Sequence, residues 1–290
     1  MRVISSSRAV STDIQSPLFA WVDRNKERWT KWILITAVLS YVAFLILAPI
    51  TALTIGAFEK GIGAILTSLN KPEIFLAFWN TLWISLVVVI IHTIFGALVA
   101  WVFVRHRFPG RNLINGLVDM PFAISPVVAG YMLLLLFGRN GLFGPVIDAL
   151  GIQVAFALPG MVLATLFVTM PFMIRELIPV LEAFDTRQEK AAATLGANGW
   201  QTFWRVTFPA LRWGMIYGIT LTFARALGEF GAVLVIGGGV QGKTETATLF
   251  IYRALEERQY IGAYSAALVL GLFSLILVLG SDWLRRKGNR

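Results

Sequence analysis

Arg225 and Glu229 stand four residues apart inside an otherwise apolar run. On a helix that spacing puts the guanidinium and the carboxylate on one face, close enough to pair. A charge near the bilayer centre costs roughly 2.5–3.5 kcal/mol on insertion scales, so both groups must face protein or water rather than lipid. Two readings are open: a polar contact for an anion in transit, with Glu229 keeping Arg225 from holding it too tightly, or an ion pair that braces a helix bundle. A second set, Gly237-Gly238-Gly239-Val240-Gln241-Gly242-Lys243-Thr244, satisfies the phosphate-cradling pattern G-x-x-x-x-G-K-[ST]. It is set aside. Such a loop needs a parallel sheet behind it and a later acidic residue for magnesium, and most of the short remainder of this chain is another apolar run. Cysteine is absent and histidine occurs only as His92 and His106. Disulfides, thiolate metal sites, thiol catalysis and a His-rich metal centre are therefore excluded.

The elements that must position these groups follow from composition. Of 290 residues, 57% are hydrophobic and only 14% are charged, where soluble chains carry about a quarter charged residues. The spacing predicts an all-α polytopic membrane protein with six transmembrane helices, at Trp32–Ile55, Leu76–Val104, Gly116–Phe137, Phe156–Ile174, Trp213–Ile236 and Ile261–Gly280. Each segment is close to the roughly 20 residues that cross a hydrocarbon core. The third contains Asp119-Met120-Pro121-Phe122-Ala123-Ile124-Ser125-Pro126. Its two prolines free backbone carbonyls that must meet protein or water. Ser125 and Pro126 are therefore candidate path residues with Arg225 and Glu229, the alternative being a kink that only shapes the bundle.

The net charge of +9 could suggest nucleic acid, but Lys and Arg cluster between the apolar runs instead of forming one stripe. Most sit in the tail at 1–31, around Arg105–Arg111, between Arg187 and Arg212, and at Arg285–Arg290. The positive-inside rule then puts both termini and the loop between the fourth and fifth helices in the cytoplasm. Domain organisation reads as a cytoplasmic tail (1–31), a membrane domain (32–284) carrying a cytoplasmic loop at 182–212, and a basic tail (285–290). Leu18–Trp32 mixes tryptophan with Arg and Lys, which suits either a helix on the membrane surface or a solvated tail.

The long cytoplasmic loop carries the most patterned chemistry. Thr186-Arg187-Gln188-Glu189 has the spacing of a capping box, a helix then runs to Leu195, and Gly196 is its stop. Asn198 can cap a second short helix with Gln201 in the reciprocal position, and Pro209 limits it. The first helix presents small Ala191 and Ala192 with Leu195. The second presents Trp200, Phe203 and Trp204 at i, i+3 and i+4. An aromatic stripe on an aqueous loop must be covered, either by the protein's own helix ends or by a cytoplasmic partner.

At this point the residues reach a family. Glu189-Lys190-Ala191-Ala192, then Gly196, nine residues, and Val206-Thr207-Phe208-Pro209 resemble the EAA loop of ABC-importer permeases, E-x-A-A-x-x-x-G followed after nine residues by I-x-L-P. Val206 and Phe208 replace the usual Ile and Leu. The resemblance extends over about 78–283 and implies the type I importer permease fold in a bacterial inner membrane. It also implies that Glu189, Ala191, Ala192, Leu195, Gly196, Trp200, Phe203, Val206 and Pro209 form a coupling helix docking on an ATP-hydrolysing subunit. Within the family, Pro121–Gly130, Phe137-Gly138-Arg139-Asn140-Gly141 and Ala224–Ala232 are similar to sulfate/thiosulfate permeases of the W type, the last stretch being shared with molybdate permeases. Implied partners are a T-type permease, a dimer of ATPase subunits holding ATP and magnesium, and a periplasmic sulfate-binding protein. No cofactor is implied in this chain.

The expected function is a non-catalytic permease subunit that forms, with a second permease, the path for sulfate or thiosulfate. A molybdate or tungstate permease is the alternative within the family. From another class comes a stand-alone channel or secondary carrier, which needs no coupling hairpin and often shows inverted repeats. A membrane enzyme fits least, because the acidic and basic residues lie mostly in loops.

Overall fold

The computed structural model describes the backbone over residues 17–288 and side chains over residues 29–283. The expected surface helix at Leu18–Trp32 falls mostly on residues whose side chains lie outside that set. Among the described residues, secondary structure is helical throughout. Apolar runs in a medium without water must satisfy every peptide group locally, and helices do that.

The chain divides into two units, Met1–Leu53 and Thr54–Arg290. Helix α1 (Pro17–Phe58) makes up most of the described part of the first. Ile33, Leu39, Phe44 and Leu47 belong to an apolar run spread round its circumference, the all-round apolar pattern of a membrane span.

In the second unit, α2 (Gly61–Leu69) leads to α3 (Pro72–Ile91), which continues through a π turn at His92–Gly96 into α4 (Ala97–Arg105). Together α3 and α4 make one apolar helix of 34 residues, about 51 Å long, so it tilts or projects beyond the bilayer. The widened turn was not foreseen. His92 occupies it, with Nε2 3.1 Å from both Leu166 O and Thr169 Oγ1 on α8 (Leu158–Ala183). A buried imidazole is thereby satisfied by a neighbouring span.

The third expected span is broken. Helix α5 (Arg111–Ala123) and α6 (Pro126–Phe137) are bent by 114° at Ile124–Ser125. Proline at the first position of α6 cannot donate to the preceding turn, and it drives Ser125 into extended backbone. A short helix, α7 (Gly144–Ala149), precedes α8. Beyond α9 (Arg187–Thr194), the helix begun by α10 (Gly199–Thr202) passes a second π turn at Phe203–Thr207 into α11 (Phe208–Leu227). The fifth expected span breaks as well: α11 meets α12 (Gly231–Gly237) at 57°. Helices α13 (Ala247–Glu256) and α14 (Tyr260–Gly288) finish the chain. Among the described residues four helices are long and apolar enough to cross a membrane, or up to six if each bent pair is one span. The protein is a multi-pass membrane protein.

Helix α8 is the axis of this unit. Its C-terminal half joins α4, α5 and α11 through Met173, Ile174, Leu177 and Leu181 packed with Ala100, Phe103, Val118 and Leu211. Its N-terminal half joins α6 and α12 through Ala164 and Val168 packed with Ala129, Ala232 and Ile236. The helix runs nine residues past the expected end at Ile174, because Leu177, Ile178, Val180 and Leu181 restore an apolar face after Arg175.

Candidate functional site

Two sites are built by this frame, one at each kind of irregularity. The first is the hairpin α9–α10. Gly196 has φ +86°, a left-handed conformation that costs an L side chain energy and glycine nothing. Ala197 N–H donates to Ala192 O and Gly196 N–H to Ala193 O, both at 3.0 Å, the paired bonds of a Schellman stop. Asn198 Oδ1 accepts from Gln201 N–H at 2.9 Å, and Gln201 Oε1 accepts from Asn198 N–H at 3.0 Å. The expected reciprocal cap of α10 is therefore present.

Two expectations at this hairpin are corrected. The capping box of Thr186 and Glu189 does not form. Arg187 N–H is taken by Asp185 Oδ1 at 2.9 Å, and the Thr186 hydroxyl caps nothing. The Glu189 carboxylate instead turns to Arg105 Nη2 at 3.2 Å and Thr207 Oγ1 at 2.7 Å, because a charged donor outbids a backbone amide. Nor does Pro209 end the second helix. Phe208 N–H donates to Phe203 O, five residues back. The widened turn passes the prolyl ring without a break, so α10 runs on into the membrane. The hairpin α9–α10 links α8 to α11.

Trp200, Phe203, Trp204 and Phe208 form one aromatic cluster, with neighbouring centroids 4.9–6.5 Å apart. It closes partly on itself yet leaves Trp200 71% and Leu195 89% exposed. Ala191 and Pro209 are exposed beside them, while Ala192, Phe203, Val206 and Glu189 are half-buried.

The second site is where the two broken spans meet. An added Cβ on Gly130 of α6 would stand 2.6 Å from Ala232 O of α12, and one on Gly231 would stand 3.2 Å from Pro126 Cβ. At Gly130 only hydrogen allows so close an approach to backbone, and at Gly231 a side chain would press on Pro126 and Val127. Glu229 lies in the break before α12 and is 2% exposed, and its Oε2 is 2.8 Å from Arg225 Nη1. Glu229 Oε1 accepts the Ala232 N–H at 3.1 Å, and the Thr248 hydroxyl donates to Glu229 O at 2.7 Å. Glu229 is therefore not on the face of a continuous helix, as its spacing suggests. It caps the second half of a broken one. Arg225 keeps 29% of its side chain exposed. Pro126 is brought against Gly231, two residues from Glu229. Ser125 leads α6 with its hydroxyl capping no backbone amide.

A second ion pair, between α5 and α8, carries no local sequence signal. Arg175 donates from Nε to Asp119 Oδ1 at 2.7 Å and from Nη2 to Oδ2 at 2.6 Å, and Nη2 also reaches Asn115 O at 3.2 Å. It sits about 12 Å of helix before the end of α8. The pair remains 31% and 46% exposed within this chain. The apolar run after Arg175 signals only that the helix continues.

At the far end from the hairpin, Glu245 is 1% exposed and binds Arg253 twice, at 2.6 and 3.2 Å. The Arg253 guanidinium is held above its ordinary value, chiefly by that hydrogen bond. Asn80 donates to Lys243 O and Glu245 O at 3.1 and 3.0 Å. The Thr244 hydroxyl, which a phosphate loop would give to magnesium, donates to Gly237 O at 2.6 Å and accepts Val240 N–H at 3.0 Å. The glycine-rich segment is a pinned turn. Phe137–Gly141 is another turn, and it borders a cavity of about 570 Å³ lined by Arg139 and Asp148.

The comparisons with known proteins bear on the whole arrangement. The chain is 47% identical over 252 residues to the sulfate transport system permease protein CysW of Synechococcus elongatus, covering 87% of this chain and 88% of the relative. It is 43% identical to CysW of Escherichia coli K12 over 88% of this chain and 87% of the relative. It is 36% identical to the sulfate transport system permease protein CysT of the same organism, over 87% of this chain and 91% of the relative. Its fold matches a bacterial ABC transporter chain involved in the import of alginate, with TM-score 0.75 and 17% identity over 92% of this chain and 98% of that one. The family model for the binding-protein-dependent transport system inner membrane component matches residues 92–287, from the π turn of His92 through the hairpin and both helix breaks to the end of α14, and the chain belongs to that family.

Proposed function

We propose that this chain is the permease subunit of an ATP-driven importer of sulfate and thiosulfate, set in the bacterial inner membrane with both termini and the α9–α10 hairpin in the cytoplasm. The observation that carries the reading is a step in identity: 43–47% to CysW permeases against 36% to a CysT permease. Both kinds are named as permeases of a sulfate transport system in one organism. The chain fits the first place and leaves the second for a T-type partner. The family description supports delivery by a binding protein, and the exposed Leu195 and Trp200 support docking of the hairpin on an ATPase dimer. ATP and magnesium belong to that dimer. The asymmetric placement of Lys and Arg supports the orientation.

Transport then divides by place. The hairpin receives the mechanical signal at its exposed tip, with Ala191 and Ala192 allowing close approach and Trp200 and Phe203 filling a groove. The crossing of α6 and α12 supplies the polar contact at depth. Arg225 offers donors to a dianion, while Glu229, already committed to the Ala232 amide, balances the guanidinium so that the ion is released.

The test reconstitutes the chain with its second permease and ATPase in proteoliposomes. Binding protein loaded with sulfate is expected to stimulate ATP hydrolysis and sulfate uptake. Stimulation by molybdate alone would move the chain to the molybdate class. Uptake without any ATPase would make it a self-sufficient carrier. A single cysteine at Lys190 should resist impermeant maleimide applied outside spheroplasts, and labelling there would overturn the orientation.

A further inference from the structure

The glutamate that opens the hairpin motif points inward. Glu189 Oε1 accepts two hydrogen bonds, from Arg105 Nη2 at 3.2 Å and from Thr207 Oγ1 at 2.7 Å. The ion pair is mostly covered, with Arg105 13% and Glu189 21% exposed. Arg105 is the last residue of α4. Its guanidinium lies 5.0 Å from the Trp101 ring centre and 5.6 Å from that of Phe184, the residue that ends α8. Thr207 is 1% exposed and closes the π turn that feeds α11. One carboxylate therefore joins the hairpin to the ends of α4 and α11, and the Arg105 guanidinium carries the contact on to the end of α8. Two aromatic faces keep the cation desolvated, which strengthens its attraction for the carboxylate.

We propose that Glu189, Arg105 and Thr207 form a clasp that makes the hairpin and the ends of α4, α8 and α11 move as one body, so that Glu189 is a positioning residue acting through Arg105 and not a contact of the ATPase surface. The proposal rests on the coupling role given to the hairpin above. Its mechanical content follows from the geometry. The exposed tip at Leu195 and Trp200 is free to be gripped, and the clasp lies behind it. The tip already reaches α11 through the unbroken α10; without the clasp α9 is free to swing about its connection at Phe184–Asp185, and a push on the tip is not passed to α4. α11 carries Arg225 near its other end, so the clasp ties α9 and α4 to the helix that bears that charge.

The experiment uses the assembled transporter in proteoliposomes and reads two quantities: recovery of ATPase with the permease, and sulfate taken up per ATP hydrolysed. Glu189→Gln, Arg105→Met and the double variant are each expected to recover ATPase within twofold of the native chain. Each should lower uptake per ATP about tenfold, and the double should lose no more than either single, since one unit is broken in all three. Thr207→Val removes one of two donors at nearly constant volume and is expected to lower the ratio about threefold. It serves as the second variant if a charge change prevents assembly. Losses that multiply in the double variant, lost ATPase recovery with Glu189→Gln alone, or a native ratio in Thr207→Val and Arg105→Met would overturn the clasp. Failure of the native transporter to couple sulfate uptake to ATP would instead overturn the function proposed above.

Discussion

The hairpin and the crossing of the broken helices are both irregular, and they are irregular for opposite reasons. The hairpin is shaped by neighbours in sequence: Asn198 with Gln201, Gly196 with Ala192 and Ala193. Its tip is exposed, with Leu195 and Trp200 left bare. The crossing is shaped by residues about a hundred positions apart, Gly130 against Ala232 and Pro126 against Gly231, and it buries a carboxylate to 2%. A locally held, exposed element can lose a side chain and keep its shape. A crossing held by backbone approach cannot. Changes at the crossing should therefore cost stability first, and changes at the hairpin should cost coupling first.

The severest test of that contrast is Arg225→Met, which leaves Glu229 buried without its cation. Loss of about 3–5 kcal/mol is expected, seen as poor recovery of folded protein. Arg225→Met with Glu229→Gln removes both charges and should restore assembly while sulfate uptake stays slow. Full uptake in that double variant would reduce the pair to a brace. Gly130→Val comes next, because its Cβ would meet Ala232 O at 2.6 Å. About 2–3 kcal/mol of destabilisation is expected, read as a lower unfolding midpoint in detergent. Unchanged stability would show that the crossing is not tight.

On the hairpin side, Gly196→Arg should cost only about 1–2 kcal/mol for the left-handed backbone while abolishing uptake in a chain that still inserts. Normal uptake with normal ATPase recovery would break the contrast from the other side. Smallest in stability is Trp200→Ala. With 71% of the side chain exposed, the fold should change by within about 0.5 kcal/mol. ATPase recovery should nonetheless drop several-fold, since exposed aromatic anchors carry docking energy.

The same distinction governs what the sequence made legible. The apolar runs located the four long apolar helices and both bent pairs, because span length is set by the bilayer. Gly196 and the Asn198–Gln201 cap were readable, because their partners lie within a few residues. The Thr186–Glu189 cap was misread for the complementary reason: its competitor, Arg105, arrives from another helix. Pro209 was taken as a stop because a π turn is a tertiary accommodation with no local signature. The prolines around Ser125 announce an irregular third span, but the break at Gly228 and the packing of the two second halves on each other carry no such local signal. The Arg175–Asp119 pair was hidden by ending α8 at a charged residue, although the leucines and valine beyond it continue the helix.

The brevity of α12 has a consequence for how the protein is made. Seven residues rise about 10 Å, a third of the hydrocarbon core, so α12 has no residence in lipid of its own. Its place is the groove of α6, which is synthesised about a hundred residues earlier. Until Gly231 is made, the Gly130 side of α6 lacks the helix that packs on it in the finished fold. The crossing can therefore close only once the last fifth of the chain is being synthesised.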